Sequence, residues 1–189
     1  MAPTLSNWQI EFMQAHPRLF DFMQDEPKDT FGYPLYQEGW QDVLGRLCGR
    51  IEKALLENET FEFVRIKQKF GILRIGWEGE VSEETRASIE EALALAEARS
   101  SCTCELCGAE GDKYHASENV MVRCERHAEG RPILATRANE RLHLVRVVAP
   151  TEPPVCTVRR YDRETDSFVG PPEDVDATLP RGSTKTDKE

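Results

Sequence analysis

Cys104-Glu105-Leu106-Cys107, then sixteen residues beginning with Gly108, then Cys124-Glu125-Arg126-His127: this stretch reads C-x2-C-x16-C-x2-H. Two tight pairs of soft or borderline ligands suit one tetrahedral Zn²⁺. A C-x2-C turn curls back so that both sulfurs reach one metal. Gly108 follows the second sulfur, where such a turn often needs positive φ. The spacer is long enough for a short hairpin that returns Cys124 and His127 to the same ion. Disulfides, or free thiols beside a surface histidine, are the competing readings. A closed four-ligand set leaves no open position for catalysis, so the expected role is one structural zinc per chain.

The rest of the chain sets the bounds. A length of 189 residues suits one ordinary domain, or a domain with a small appended module. The six cysteines do not form a secreted disulfide framework. Cys48 and Cys156 stand alone, and Cys102 crowds the first pair, so a reducing, cytoplasmic compartment is expected. The first residues lack a basic region followed by an apolar run, so no signal peptide is expected. No apolar run suits a membrane span, and no membrane partner is expected. A net charge of −10 argues against general DNA coating. The acid is unevenly placed. Glu78–Glu97 carries seven acidic residues and one arginine, and the simplest reading is a solvated helix face. Glu59–Ile75 carries four basic residues and two acidic ones.

Moving outward from the cysteines, the residues predict an α+β fold. Trp8, Phe12 and Ala15 recur at helical spacing, and Pro17 ends that helix. The strip Leu19, Phe20, Phe22 and Met23 should dock on the main core or on a partner. Phe31-Gly-Tyr-Pro-Leu-Tyr36 reads as a loop with aromatic anchors. Trp40, Val43, Leu44, Leu47, Cys48, Ile51 and Leu55 predict a helix over 38–58. Cys48 lies in that stripe and reads as a buried structural thiol. Phe61–Lys67 and Ile72–Trp77 read as strands of a hairpin, with Gly71 taking positive φ in the loop. Leu73, Ile75 and Trp77 share one face. In regular alternation Phe61, Phe63, Arg65 and Lys67 share one face and Val64 and Ile66 the other, so the first half of that strand should be covered twice. Ser82 is a plausible N-cap for a helix over 82–100, with Ile89, Leu93 and Ala96 as its apolar stripe. These elements predict an α-β-β-α core.

The zinc module follows, of treble-clef or zinc-ribbon type. Tyr114–Ala116 and Asn119–Val122 are its candidate strands, and His115 reads as a hairpin residue. His16, before a proline, reads as a turn residue. A β-rich extension comes next, from Arg141–Val148, Val155–Val158 and Ser167–Val169, with a turn at Asp162–Asp166. The expected divisions are a helix and docking strip over 1–30, the core over 31–100, the zinc module over 101–131, the extension over 132–170 and a disordered tail over 171–189.

Gly39-Trp40, Leu47-Cys48-x2-Ile51, Lys67-x-Lys69-Phe-Gly-x-Leu-Arg74, Ala96-Glu97 with Ser100, Cys104-x2-Cys107-Gly108 and Cys124-x2-His127 occur in that order. Together they resemble an uncharacterised family of small proteins from bacteria and their phages. The resemblance covers Phe31 to His127. It implies a fold and a mobile-element context, and no activity.

There is no phosphate-binding glycine loop, nucleophile elbow or HExxH, so no enzyme is expected. Zinc-stapled HNH nucleases need an additional activating histidine, and His115 is the sole candidate in the spacer. A cytidine deaminase would need a His-x-Glu pair that is absent. The favoured reading is a non-enzymatic, zinc-stabilised module of immunity, inhibitor or phage accessory type, acting on a protein partner. The alternative is a nucleic-acid-binding regulator, and an HNH-like nuclease ranks behind both. The candidate partner-binding residues are Arg65, Lys67, Lys69, Phe70 and Arg74. Arg123, Arg126 and Arg131 could extend that basic patch. Phe70 at the loop tip is either tucked under the sheet or presented to a partner, and packing is the simpler expectation. Oligomeric state is left open by the sequence.

Overall fold

The computed structural model describes residues 8–22, 32–34, 37–116, 119–133, 142–147 and 155–173. They form a mixed helix and strand structure with small antiparallel sheets. In chain order these are α1 (Trp8–Ala15), a 3-10 turn (Glu38–Trp40), α2 (Gln41–Ala54), β1 (Glu62–Lys69), β2 (Ile72–Glu78), α3 (Glu83–Ser100), β3 (Asp112–Ala116), β4 (Asn119–Arg123), a second 3-10 turn (Glu125–His127), β5 (Arg131–Pro132), β6 (Leu142–Val147), β7 (Val155–Asp162) and β8 (Ser167–Glu173). Met23, Phe31, Leu35, Tyr36 and residues 174–189 lie outside the described residues. Pro171, Pro172 and Glu173, expected to open a disordered tail, instead form the end of β8.

Helix α2 is shorter than its apolar pattern implies. Glu38–Trp40 winds as a 3-10 turn, and Leu55 is already extended. Its stripe is nevertheless fully used: Val43, Leu44, Leu47, Cys48 and Ile51 are all buried. Burial, with the Glu52 charge adding to it, pushes the Cys48 thiol far above its ordinary range, as expected of an inert core thiol. Helix α3 begins where the capping pattern places it, and the Ser82 hydroxyl accepts from the amide of Thr85. Val43, Leu47, Ile51 and Ile89 share one cluster with Phe63, Ile66 and Leu73, and Leu93 packs at its margin. The strip after α1 joins the same core, with Leu19 and Phe20 buried.

One β-bulge reorders the hairpin. Phe63 pairs with Trp77 but Arg65 pairs with Gly76, so Val64 is the extra residue. Beyond it the alternation is reversed. Phe61, Phe63 and Ile66 therefore face the core together, and Arg65, Lys67 and Lys69 turn outward. The double covering expected from regular alternation is thus replaced by a single buried face. Both hairpin edges make hydrogen bonds outside the pair. On β1, the Phe63 amide donates to Leu19 O and the Gly32 amide to Val64 O. On β2, the Leu73 amide donates to the buried Ser100 hydroxyl at 2.9 Å.

The third sheet, β6–β7–β8, rests on α3. Among the described side chains, Leu95, Ala98, Cys102 and Tyr161 form one buried cluster, with Phe168 packed alongside.

Candidate functional site

Helix α3 delivers the chain straight into the first cysteine pair. The Gly108 amide bonds back to Cys104 O at 2.9 Å, and Gly108 takes φ +75°, closing a tight knuckle. The β3–β4 hairpin then returns the chain. Cys124 precedes the 3-10 turn that holds His127, whose amide donates to Cys124 O at 2.9 Å. Cys104, Cys107, Cys124 and His127 are thereby brought together, their ligand atoms all within 4.8 Å of one another, and could hold a metal ion. Cys107 Sγ is 3.7 Å from Cys124 Sγ. His127 turns Nδ1 toward the sulfurs, 3.6 Å from Cys104 Sγ and 3.4 Å from Cys124 Sγ.

The surroundings favour thiolate at the buried sulfur. Burial alone would raise the Cys104 thiol, but hydrogen bonds from the Cys124, Leu106 and Cys107 backbone outweigh it and leave the group below its ordinary value. Cys48, Cys102, Cys104, Cys107 and Cys124 are all reduced thiols. Cys102 stays out of the cluster: its Sγ turns back to Arg99 O at 3.3 Å and packs beside Leu95 and Tyr161.

Glu105 is a supporting residue that sequence reading misses. It sits between the first two cysteines, where a charged residue passes for filler. It is buried, and its Oε1 accepts from the Val122 amide at 2.9 Å while Oε2 pairs with Arg123 at 3.2 Å. One carboxylate thus ties the first knuckle to the strand that carries the second pair. The same pairing withdraws Arg123 from the basic patch that its position suggested, whereas Arg126 and Arg131 are exposed. His115 is exposed on β3 and outside the ligand cluster. His16 bonds Glu52 through Nδ1 at 3.0 Å, linking the end of α1 to α2.

The β1–β2 hairpin tip abuts this centre. Gln68 Nε2 donates to Val120 O at 2.7 Å, and a Cβ on Gly71 would lie 3.3 Å from the Val122 side chain. Lys69 pairs with Ile72, leaving a two-residue loop of Phe70 and Gly71 at φ +55° and +69°. Gly71 suits that conformation, but Phe70 does not. Phe70 is also 64% exposed, so the packed alternative is overturned. Arg65, Lys67, Lys69 and Arg74 are all exposed on the outer hairpin face. The Lys69 ammonium stands 5.5 Å from the Phe70 ring centroid. Arg74 is engaged by Glu97, with both carboxylate oxygens at 2.9 Å.

Among the described residues no helix is long and apolar enough to cross a membrane. No family model, curated protein or solved structure matches the chain.

Proposed function

We propose that the chain is a non-enzymatic interaction module, stiffened by one structural zinc, that docks the β1–β2 hairpin tip onto an acidic patch of a protein partner. The observation that carries this reading is Phe70. A bulky side chain at left-handed φ costs on the order of 1–2 kcal/mol, and here it gains no burial in return. Strain combined with exposure suggests a residue held for contact. Arg65, Lys67 and Lys69 beside it supply charge complementarity for an acidic surface.

Zinc is supported by the distances. Zn–S bonds of about 2.3 Å and Zn–N bonds of about 2.0–2.1 Å imply tetrahedral edges of roughly 3.7–3.8 Å between sulfurs and roughly 3.5–3.6 Å between sulfur and nitrogen. The separations of 3.7, 3.6 and 3.4 Å are close to these. Three thiolates and one imidazole would complete the tetrahedron, which favours a structural role. The finer fold reading is ribbon-like. The second pair brackets a 3-10 turn, with Cys124 just before it and His127 at its end, and β5 returns to pair with β3.

The alternative is a nucleic-acid-binding regulator using the same basic, aromatic face. It is disfavoured by the net charge of −10 and by the engagement of Arg74 and Arg123 with carboxylates. Affinity capture with wild-type and Phe70→Ala protein decides between them. A protein retained by wild type, and lost from Phe70→Ala at unchanged melting temperature, supports the proposal. Binding of a random single-stranded oligonucleotide that falls steeply between about 50 and 200 mM salt supports the alternative.

A further inference from the structure

The β7–β8 turn inserts one carboxylate among three arginines of the helical layer. Asp166 is 6% exposed. Its Oδ2 accepts from Arg50 at 2.8 Å and lies 3.5 Å from Arg46. Its Oδ1 accepts from the Tyr161 hydroxyl at 2.5 Å and lies 3.6 Å from Arg99. Arg46 and Arg50 project from α2, and Arg99 from the last turn of α3. Asp42 is the other carboxylate described with these arginines, and it is 58% exposed. Without the turn, the helices would present three guanidinium groups against one solvated carboxylate. Converging guanidinium forks are the donor arrangement that carboxylates and phosphates take.

Among the side chains described, those joining the sheet that carries Asp166 to α3 cluster around Tyr161. Four buried side-chain polar atoms lack a protein partner among the described residues, and three of them (Thr157 Oγ1, Arg159 Nε and Arg163 Nε) lie on this sheet or its turn. Asp166 itself sits at φ +51°. Buried polar groups left incompletely satisfied weaken the hold of a segment and favour its local opening.

We propose that Arg46, Arg50 and Arg99 form an oxyanion-binding site for a carboxylate- or phosphate-bearing ligand, and that Asp166 occupies it as an internal ligand. The external ligand and the β6–β8 sheet then compete for one place. This goes beyond the hairpin reading and uses none of its residues. A tethered competitor acts at high effective concentration, so the wild-type site binds an external anion weakly. Removing the tethered charge raises the competent fraction, and apparent affinity rises in proportion.

The test uses the full chain, with inorganic phosphate and acetate as parallel probes at constant ionic strength. Asp166→Asn keeps the side-chain size and tolerates positive φ. Calorimetric titration should show it binding phosphate, acetate or both at least about tenfold more tightly than wild type, with Arg50→Gln in the same background abolishing the gain. The probe that gains more identifies the preferred anion. In wild type, saturating anion should speed amide exchange over 155–173 while α2 and α3 stay protected. Equal anion binding by wild type and Asp166→Asn would overturn the proposal. So would unchanged wild-type exchange over 155–173, or loss of protection throughout α2 and α3 in Asp166→Asn.

Discussion

The amide of Gly39 donates a 2.9 Å hydrogen bond to the carbonyl of Glu105, joining the start of the main helix to the turn of the first cysteine pair. The contact is backbone against backbone. A Cβ at position 39 would fall 2.3 Å from Cys104 O and 2.6 Å from Glu105 O. Trp40 adds a second tie, its indole N–H donating to Thr103 O at 2.9 Å. Gly39→Ala must therefore push the knuckle away from the core. We expect a loss of roughly 1–3 kcal/mol, the usual range for overpacking, together with weaker metal retention. Thermal unfolding and competition with a chelator would show both, and a fully neutral Gly39→Ala would contradict this packing.

The ligand set makes a sharp distinction between neighbouring cysteines. Cys107→Ser should abolish stoichiometric zinc and expose the module to protease. Cys102→Ser should keep the metal, because Cys102 is directed away from the cluster. Structural zinc contributes apparent energies of about 10–16 kcal/mol in small modules, so chelation should unfold the region around β3 and β4. Elemental analysis of the purified variants checks the assignment. Zinc retained in Cys107→Ser, or lost from Cys102→Ser, would remove its basis.

Phe70 should show opposite effects on stability and on contact. Asn adopts left-handed φ far more readily than Phe and suits the first position of a two-residue hairpin loop. Phe70→Asn should gain up to about 1 kcal/mol by relieving the strain, less what the Lys69–Phe70 contact contributes. For a chain of this size that is a rise of about 2–4 °C in melting temperature. Partner binding should fall in the same variant. A lowered melting temperature would mean that the ring supports the fold.

The helices and the strands other than β5 were legible because their signals are local. The apolar spacing from Trp40 to Leu55, the Ser82 cap and the alternation of Leu73, Ile75 and Trp77 each depend on neighbours within one element. The four metal-type ligands were legible because their chemistry requires paired spacing. Three features were not. The bulge at Val64 has no glycine or proline to announce it, and without it Phe61 and Ile66 appear to face opposite ways. Glu105 gains its role only when Val122 and Arg123 fold against it. Asp166 reads as a turn residue until Arg46, Arg50 and Arg99 converge on it from two helices distant in sequence.

That convergence also fixes an acid response. Burial alone would push the Asp166 carboxyl up, but hydrogen bonds from Tyr161 and Arg50, with the charges of Arg50 and Arg99, outweigh it and hold the group below the usual carboxylate range. Asp42 is shifted the same way: burial raises it, and Arg46 and Arg99 outweigh that, although its exposure makes the contribution small. A carboxyl with a depressed folded value contributes stability that is present above its unfolded value, about 3.9 for Asp, and lost as pH falls through the folded value. Glu97 acts in the opposite sense. Burial outweighs the lowering by Arg74 and raises its value, so its contribution is greatest at low pH and declines as pH rises. The hold of Asp166 on the β6–β8 sheet should therefore begin to weaken below the unfolded value, about pH 4, and be lost as pH falls through its lower folded value. Acid would also protonate thiolates that hold a metal, so a global melting curve would mix two events. The difference between wild type and Asp166→Asn separates them, since both carry the same cysteines. Asp166→Asn should melt lower at pH 7 and lose less on acidification from pH 5 to pH 3. Parallel pH profiles for the two proteins would show that the Asp166 charge does not hold the sheet in place.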